Sequence, residues 1–302
     1  MSDRVDIEAI YKEINDEIAD IRSILNPSSS KIYKPTNESA SKEFLDNHQY
    51  TKNGVLRYEK MFGKHFISTG GKDTTVKFVK KLNLKKGQSV LDVGCGIGGS
   101  AFYMAKEFET NVLGIDLSEN MLDIAKDRLK EQTFSPDVTV KFELRDATKC
   151  NFGENTFDVI YSRDCILHIF DKLALFKDFN KWLKPGGVLF ITDYCCGDPP
   201  HSEAFQIYLT DRKYHLHTPK EYTQIIKDAG FVNVDGKDET DQFVSVLNNE
   251  LDKFALIKDE FVSEFSEKDY DYIVKGWKSK VVRCGQKDQK WGSFLGYKSK
   301  QT

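Results

Sequence analysis

A short apolar run breaks directly into glycines at Val90-Leu91-Asp92-Val93-Gly94-Cys95-Gly96-Ile97-Gly98-Gly99, and no other segment so limits the folds open to this 302-residue chain. The run reads as a buried strand, and the glycines let the backbone turn sharply and come close to a ligand. Open α/β sheets bind their ligands at the carboxyl ends of strands, where this turn would stand. From about Lys42 onward, short apolar runs alternate with helical segments. Strands are predicted over 89–93, 111–115, 138–144, 157–161 and 187–192, with a helix over 222–229 that stops at Gly230. That alternation predicts an α/β fold with a doubly wound, mostly parallel sheet.

Ahead of this region, Ile7, Ile10, Tyr11, Ile14, Ile18, Ile21 and Leu25 stand at helical spacing and predict one amphipathic helix. The Ser-, Pro- and Asn-rich stretch 26–41 reads as a linker, so the chain divides into 1–41 and a catalytic domain over 42–302. The helix has two readings, docking on the core or on another chain. With 44 Lys and Arg against 47 Asp and Glu, the net charge is −3, which gives no general attraction to nucleic acid and favours a small substrate. No apolar stretch approaches the roughly 20 residues of a bilayer span. The acidic start lacks the pattern of a secretory signal. Six cysteines without metal-ligand or disulfide spacing fit reduced thiols, so a cytoplasmic location is expected.

Gly94, Gly96 and Gly99 also satisfy a dinucleotide-binding pattern, so the glycines alone leave an NAD-dependent oxidoreductase open. The flanking acids bear on the choice. Asp92, two residues before the first glycine, suits a cationic group and would repel a diphosphate. Asp116 ends the next strand, where a carboxylate can grip ribose hydroxyls, and Ser118 is placed to cap the following helix. Asp146 ends the third strand, and Lys184-Pro185-Gly186-Gly187 turns into the fifth. In this order the residues resemble the S-adenosylmethionine-dependent class I methyltransferases, which implies a seven-stranded sheet with helical lid inserts. The resemblance also implies that Asp92, Gly94 and Gly96 hold the methionine end, Asp116 with Leu117 the ribose, and Asp146 with Ala147 the adenine.

The inserts are more specific. They comprise the run 44–50 with Gln49 and Tyr50, then Tyr58, Phe62-Gly63, Ile67-Ser68 and Gly70-Gly71. Further on come Tyr161-Ser162-Arg163-Asp164 with His168, Thr192-Asp193-Tyr194-Cys195, and Tyr208 with Arg212-Lys213-Tyr214. A helix starting near Asp164 would put Asp164 and His168 on one face, as helical spacing does for Tyr208 and Arg212. Gly276-Trp277 with Lys280, and 289–294, add cations near the end of the chain. These inserts are similar to those of the phosphoethanolamine N-methyltransferases over roughly residues 42–298. The resemblance implies stepwise methylation of phosphoethanolamine to phosphocholine, with S-adenosylhomocysteine as by-product. It implies a Tyr50–His168 catalytic pair and a cofactor flanked by Ile67, Ser68 and Asp164. It further implies a small-molecule phosphobase held by Gln49, Tyr58, Asp164, Tyr194, Tyr208, Arg212, Tyr214 and Lys280. Another small amine is the alternative acceptor. The attacking amine must lose a proton, and a histidine near its ordinary pKa of about 6.5 suits that task. An arginine with neighbouring phenols suits a phosphate.

Overall fold

The computed structural model describes residues 37–300. The helix expected over 7–25 and the linker up to residue 36 lie outside the described residues. Residues 38–40 are tied to the core by hydrogen bonds from Ala40 N to the His168 carbonyl (3.1 Å), from Phe170 N to Ser39 Oγ (3.1 Å), and between His215 Nε2 and the Glu38 carbonyl (2.9 Å).

A short helical segment, Lys42–Phe44, runs into a wide turn over Leu45–Gln49, followed by α1 (Lys52–Phe62) and α2 (Gly71–Val79). The alternating region then gives β1 (Ser89–Val93), α3 (Gly99–Phe108), β2 (Asn111–Asp116), α4 (Glu119–Lys130), β3 (Val140–Leu144) and β4 (Phe157–Arg163). After these come α5 (Lys172–Trp182), β5 (Leu183–Cys196), α6 (Glu203–Arg212), α7 (Pro219–Asp228) and β6 (Val232–Asp238). The chain continues through α8 (Thr240–Leu256), α9 (Lys258–Glu264), α10 (Glu267–Gly285) and β7 (Gln289–Tyr297).

The seven strands form one sheet in the order β3-β2-β1-β4-β5-β7-β6. Strands β1 to β5 pair in parallel, and β7 runs antiparallel between β5 and β6. Alternate residues of the central strands point to opposite faces. Val90, Val112 and Val159 pack with Phe78, Phe102 and Phe190 on one side. Leu91, Ile160 and Leu189 pack with Phe176, Phe179 and Trp182 on the other. Each fully buried large apolar side chain contributes about 1.5–3 kcal/mol, so both faces of the sheet hold the fold together. Strand order, not strand direction, reverses between β1 and β4, the place where a doubly wound sheet opens a crevice at its carboxyl edge.

Several boundaries move from their expected places for identifiable reasons. Helix α7 begins earlier because Thr218 and Glu221 form a capping box with Pro219 in the first turn. Strand β5 runs on to Cys196 because β7 pairs with it from Val188↔Tyr297 to Cys196↔Gln289. The segment 289–294, expected to supply cations, is therefore the start of a strand, and its Lys290 is spent on Asp238 at 2.7 Å.

Candidate active site

At the carboxyl edge of β1 the chain makes the glycine turn. Gly94 has φ +72°, and a Cβ there would fall 2.1 Å from Cys165 Sγ. Gly96 has φ +53°, and its Cβ would meet Ile67 Cδ1 at 2.8 Å. A side chain at either position would fill the floor of a cavity that reaches from Asp92 past Asp116 and Leu117 to Asp146 and Ala147. All ten residues expected around a cofactor border this cavity, as do Tyr50 and His168.

The acids differ in their environments. Asp92 is buried and its Oδ2 has no hydrogen-bond partner. Burial, with the charge of Asp116 adding to it and that of Arg163 opposing it, pushes Asp92 up to about 7. Asp116 accepts backbone N–H bonds from Gly96 and Ser118, each at 2.9 Å, which braces the turn; burial raises its pKa. Asp146 accepts from Thr148 N and Oγ1 and pairs with Lys149 at 2.9 Å, so its carboxylate mainly shapes the short turn that presents Ala147.

A second cavity adjoins the first, and Tyr50, Ile67, Ser68 and Asp164 border both. All eight residues expected around an acceptor lie on its wall. Tyr208 and Arg212 project from the last turns of α6, as the helical spacing predicts, while Lys280 comes from α10. Arg212 donates to Tyr272 Oη at 3.4 Å, and no carboxylate among the described residues lies within 4.0 Å of it. Lys280 Nζ sits 3.7 Å over the Trp277 ring. Burial, partly opposed by Glu250, holds Lys280 below the ordinary lysine range. Gln49 Nε2 donates to Tyr214 Oη at 3.2 Å, and the Tyr214 ring meets the rings of His168 and Tyr208 edge-on.

Asp164 stands where the cavities meet. No helix starts there: Asp164 takes a left-handed φ of +49°, and a single tight turn over Ile166–His168 follows. Asp164 and His168 thus reach the cleft from the two ends of a turn, not along one helical face. Asp164 Oδ1 accepts from Trp291 Nε1 at 2.8 Å and Thr192 Oγ1 at 3.2 Å, while Oδ2 is buried without a partner. A buried, unpaired carboxylate oxygen is costly and favours a cationic occupant beside it.

Tyr50 Oη and His168 Nε2 are 3.1 Å apart, joining the segment after the Leu45–Gln49 turn to the core. The expected ordinary histidine pKa does not hold. Burial first, then the charges of Lys172, Arg212 and His215, push His168 down to about 3. A neutral imidazole can accept a hydrogen bond but has little intrinsic affinity for a second proton.

Sequence reasoning passed over four supporting residues. Asp46 Oδ1 accepts from Ser118 Oγ at 2.6 Å, tethering the wide turn to the end of β2. Arg163 borders the first cavity and donates to Thr75 Oγ1 and the Thr69 carbonyl, each at 2.6 Å, while its Nε is buried without a partner. The buried Lys172 Nζ donates to the carbonyls of Ile166 and Ile169, at 2.8 and 2.7 Å, and so clamps the turn that carries His168. Glu250 accepts from Gly70 N and Trp277 Nε1, bridging the loop beside Ser68 to α10. Arg163, standing next to Asp164, and Asp46, within the run 44–50, lay in motifs the sequence singled out, whereas Lys172 and Glu250 carried no signal.

Comparison with known proteins places this geometry in context. The methyltransferase-domain family matches residues 84–230. Phosphoethanolamine N-methyltransferase 1 of Arabidopsis thaliana is 52% identical over 263 residues, covering 87% of this chain and 53% of that protein. The Plasmodium falciparum phosphoethanolamine N-methyltransferase is 38% identical over 266 residues, covering 87% of this chain and 98% of that protein. Haemonchus contortus phosphoethanolamine N-methyltransferase 2, solved with phosphomonomethylethanolamine and S-adenosylhomocysteine, matches with a TM-score of 0.82 and 38% identity. That match covers 85% of this chain and 60% of the nematode chain. The chain spans about half the length of the plant relatives it matches.

Proposed function

The chain belongs to the phosphoethanolamine N-methyltransferase family, and from that membership we propose that it methylates the amine of phosphoethanolamine and of its mono- and dimethyl forms, with S-adenosylmethionine as methyl donor and phosphocholine as the end point. The observation that carries this reading is the meeting of two differently built cavities at Asp164, whose Oδ2 is buried without a hydrogen-bond partner. One has a glycine floor, an unpaired buried carboxylate at Asp92 and a second carboxylate at the end of β2. The other sets the cations Arg212 and Lys280 among tyrosines.

The first cavity fits the donor: Asp92 suits its ammonium group, Asp116 its ribose hydroxyls, and Arg163, whose Nε has no partner, its carboxylate. When bound, the donor supplies a sulfonium methyl. The chain's own residues hold the acceptor for in-line attack. Arg212, Tyr214 and Lys280 take the phosphate, which leaves the amine end beside Asp164 Oδ2. Fixing both reactants in this way supplies much of the rate. As methyl groups accumulate and N–H donors vanish, the rings of Tyr50, Tyr58 and Tyr194 hold the cation by cation–π attraction, about 0.5–2 kcal/mol each. The catalytic unit is assigned to residues 42–302. Among the described residues no helix is long and apolar enough to cross a membrane. All six cysteines are free, in keeping with a reducing compartment such as the cytoplasm.

Tyr50 and His168 close over the junction of the cavities. With its pKa near 3, chiefly from burial and then from the neighbouring cations, His168 is neutral throughout the working range, and a phosphate dianion on Arg212 offsets only the smaller part that the cations contribute. His168→Ala should then lower kcat about tenfold to a hundredfold, with S-adenosylhomocysteine affinity kept. The wild-type kcat profile should show no ionisation near pH 6.5 that His168→Ala removes, and such an ionisation would restore the simple base role.

Asp92 makes donor binding pH-dependent. Below about pH 7 its carboxyl is protonated in the empty site, and pairing with an ammonium group requires release of that proton. Affinity for S-adenosylhomocysteine should therefore fall about tenfold per pH unit below 7 and level off above it. Titration calorimetry in buffers of different ionisation enthalpy should register proton release near pH 6, absent in Asp92→Asn. A flat dependence between pH 5.5 and 8 would remove Asp92 from the ammonium site.

The acceptor class is tested by offering phosphoethanolamine, its methylated forms and ethanolamine separately. The phosphobases should exceed ethanolamine in kcat/KM by about a thousandfold, the value of two or three charge-assisted hydrogen bonds. Equal values would leave the cationic cavity without a role.

A further inference from the structure

We propose that Arg283 is a third phosphate-recognising cation and makes the acceptor cavity selective for a dianionic phosphate monoester. This rests on the phosphobase reading above and extends it to a residue outside the sequence-predicted set. Arg283 lies on the last turns of α10, three residues beyond Lys280 and so next to it on the helix surface. It borders the same cavity as Arg212 and Lys280, and Lys280 lies within electrostatic reach of both arginines.

Its side chain is held from two sides. The guanidinium carbon stands 3.9 Å from the centre of the Tyr208 ring, and Nε donates to Gln289 Oε1 at 2.8 Å. Both fix the plane of the guanidinium and use none of its four terminal N–H donors. Among the described residues no carboxylate lies within 4.0 Å of Arg283, and no acceptor is seated on its terminal nitrogens. An arginine oriented so firmly, with its fork unspent, matches a bidentate oxyanion.

The charges in the cavity give the selectivity. Among the described residues Asp164 is the only acid on its wall, and the phosphobase reading sets it at the amine end. Lys275 also borders the cavity but already has a partner. Arg212, Lys280 and Arg283 then share one phosphate. A monoester, whose second pKa is about 6, brings nearly two negative charges at neutral pH, whereas a diester brings one and replaces an acceptor oxygen with an alkyl group. Two cations suffice for the diester charge, so the third acts mainly on the dianion.

The test compares wild-type protein with Arg283→Gln and Arg283→Lys over the full chain. KM for phosphoethanolamine and the competitive inhibition constant of inorganic phosphate, both at pH 7.5, should rise about tenfold or more in Arg283→Gln. KM for S-adenosylmethionine should stay within about twofold, and Arg283→Lys, which keeps the charge but loses the stacked bidentate fork, should recover only part of the phosphate affinity. An unchanged phosphate constant, or a parallel rise in both KM values, overturns the proposal. Phosphate binding is also read calorimetrically with S-adenosylhomocysteine present. If the wild-type chain turned over no phosphobase, the functional reading would fail, while the difference in phosphate binding would still decide the role of Arg283.

Discussion

Asp164→Asn should lower kcat for phosphoethanolamine by about a hundredfold to a thousandfold, since removing one member of a buried charge pair costs roughly 2–5 kcal/mol. The substitution keeps size and leaves an amide oxygen able to accept from Trp291 Nε1 and Thr192 Oγ1, so the left-handed turn at residue 164 survives. It removes the charge of a residue that borders both cavities and whose Oδ2 is buried without a hydrogen-bond partner among the described residues. In the native site that charge draws the amine to the reacting face and stabilises its cationic forms before and after transfer. The effect should be largest on kcat, with S-adenosylhomocysteine affinity changed less than tenfold. A loss below about threefold would place the amine elsewhere.

Arg212→Ala acts on the opposite end of the acceptor. KM for phosphobases should rise about a hundredfold, close to 3 kcal/mol, while KM for S-adenosylmethionine holds within about twofold. Arg212 is suited to this split because it projects from the end of α6 into the second cavity and does not border the first. Among the described residues its single side-chain hydrogen bond, to Tyr272, is long, so a phosphate displaces little. Arg212→Lys should recover only part of the loss, because an ammonium cannot form the bidentate pair. Equal rises in both KM values would mean that Arg212 supports the fold and not the phosphate.

The parts of this arrangement that were legible in the sequence are those fixed by local rules. The glycine turn declares itself because an apolar run that breaks into glycines has few other uses. Asp92, Asp116 and Asp146 follow because each stands at or next to the carboxyl end of a strand, Asp92 one residue before the end of β1, Asp116 at the end of β2 and Asp146 two residues past β3. Tyr208 and Arg212 were paired by helical spacing alone. The remainder depends on contacts across long stretches of chain. Trp291 orients Asp164 from 127 positions away, and Asp46 reaches Ser118 across 72. Strand β6 escaped notice because Val-Asn-Val-Asp-Gly-Lys-Asp is largely exposed and polar, and reads as a loop. The pKa of His168 was misjudged because its low value comes from burial beside Lys172, and a lysine in a sequence reads as solvated until the fold buries it. Arg283 was missed for a related reason: only the packed structure shows that its partners are a ring and an amide and not a carboxylate.

The claim that binds these features is that the two cavities form one site, in which a donor methyl and a phosphobase amine face each other across Asp164. Its most direct measurement is mass spectrometry of phosphoethanolamine incubated with the chain and S-adenosylmethionine bearing a trideuterated methyl group. Transfer should appear as products carrying one or more intact trideuteromethyl groups on nitrogen, with one S-adenosylhomocysteine formed for each. Absence of labelled product from phosphoethanolamine and from both of its methylated forms, with S-adenosylhomocysteine still binding in the first cavity, would contradict it.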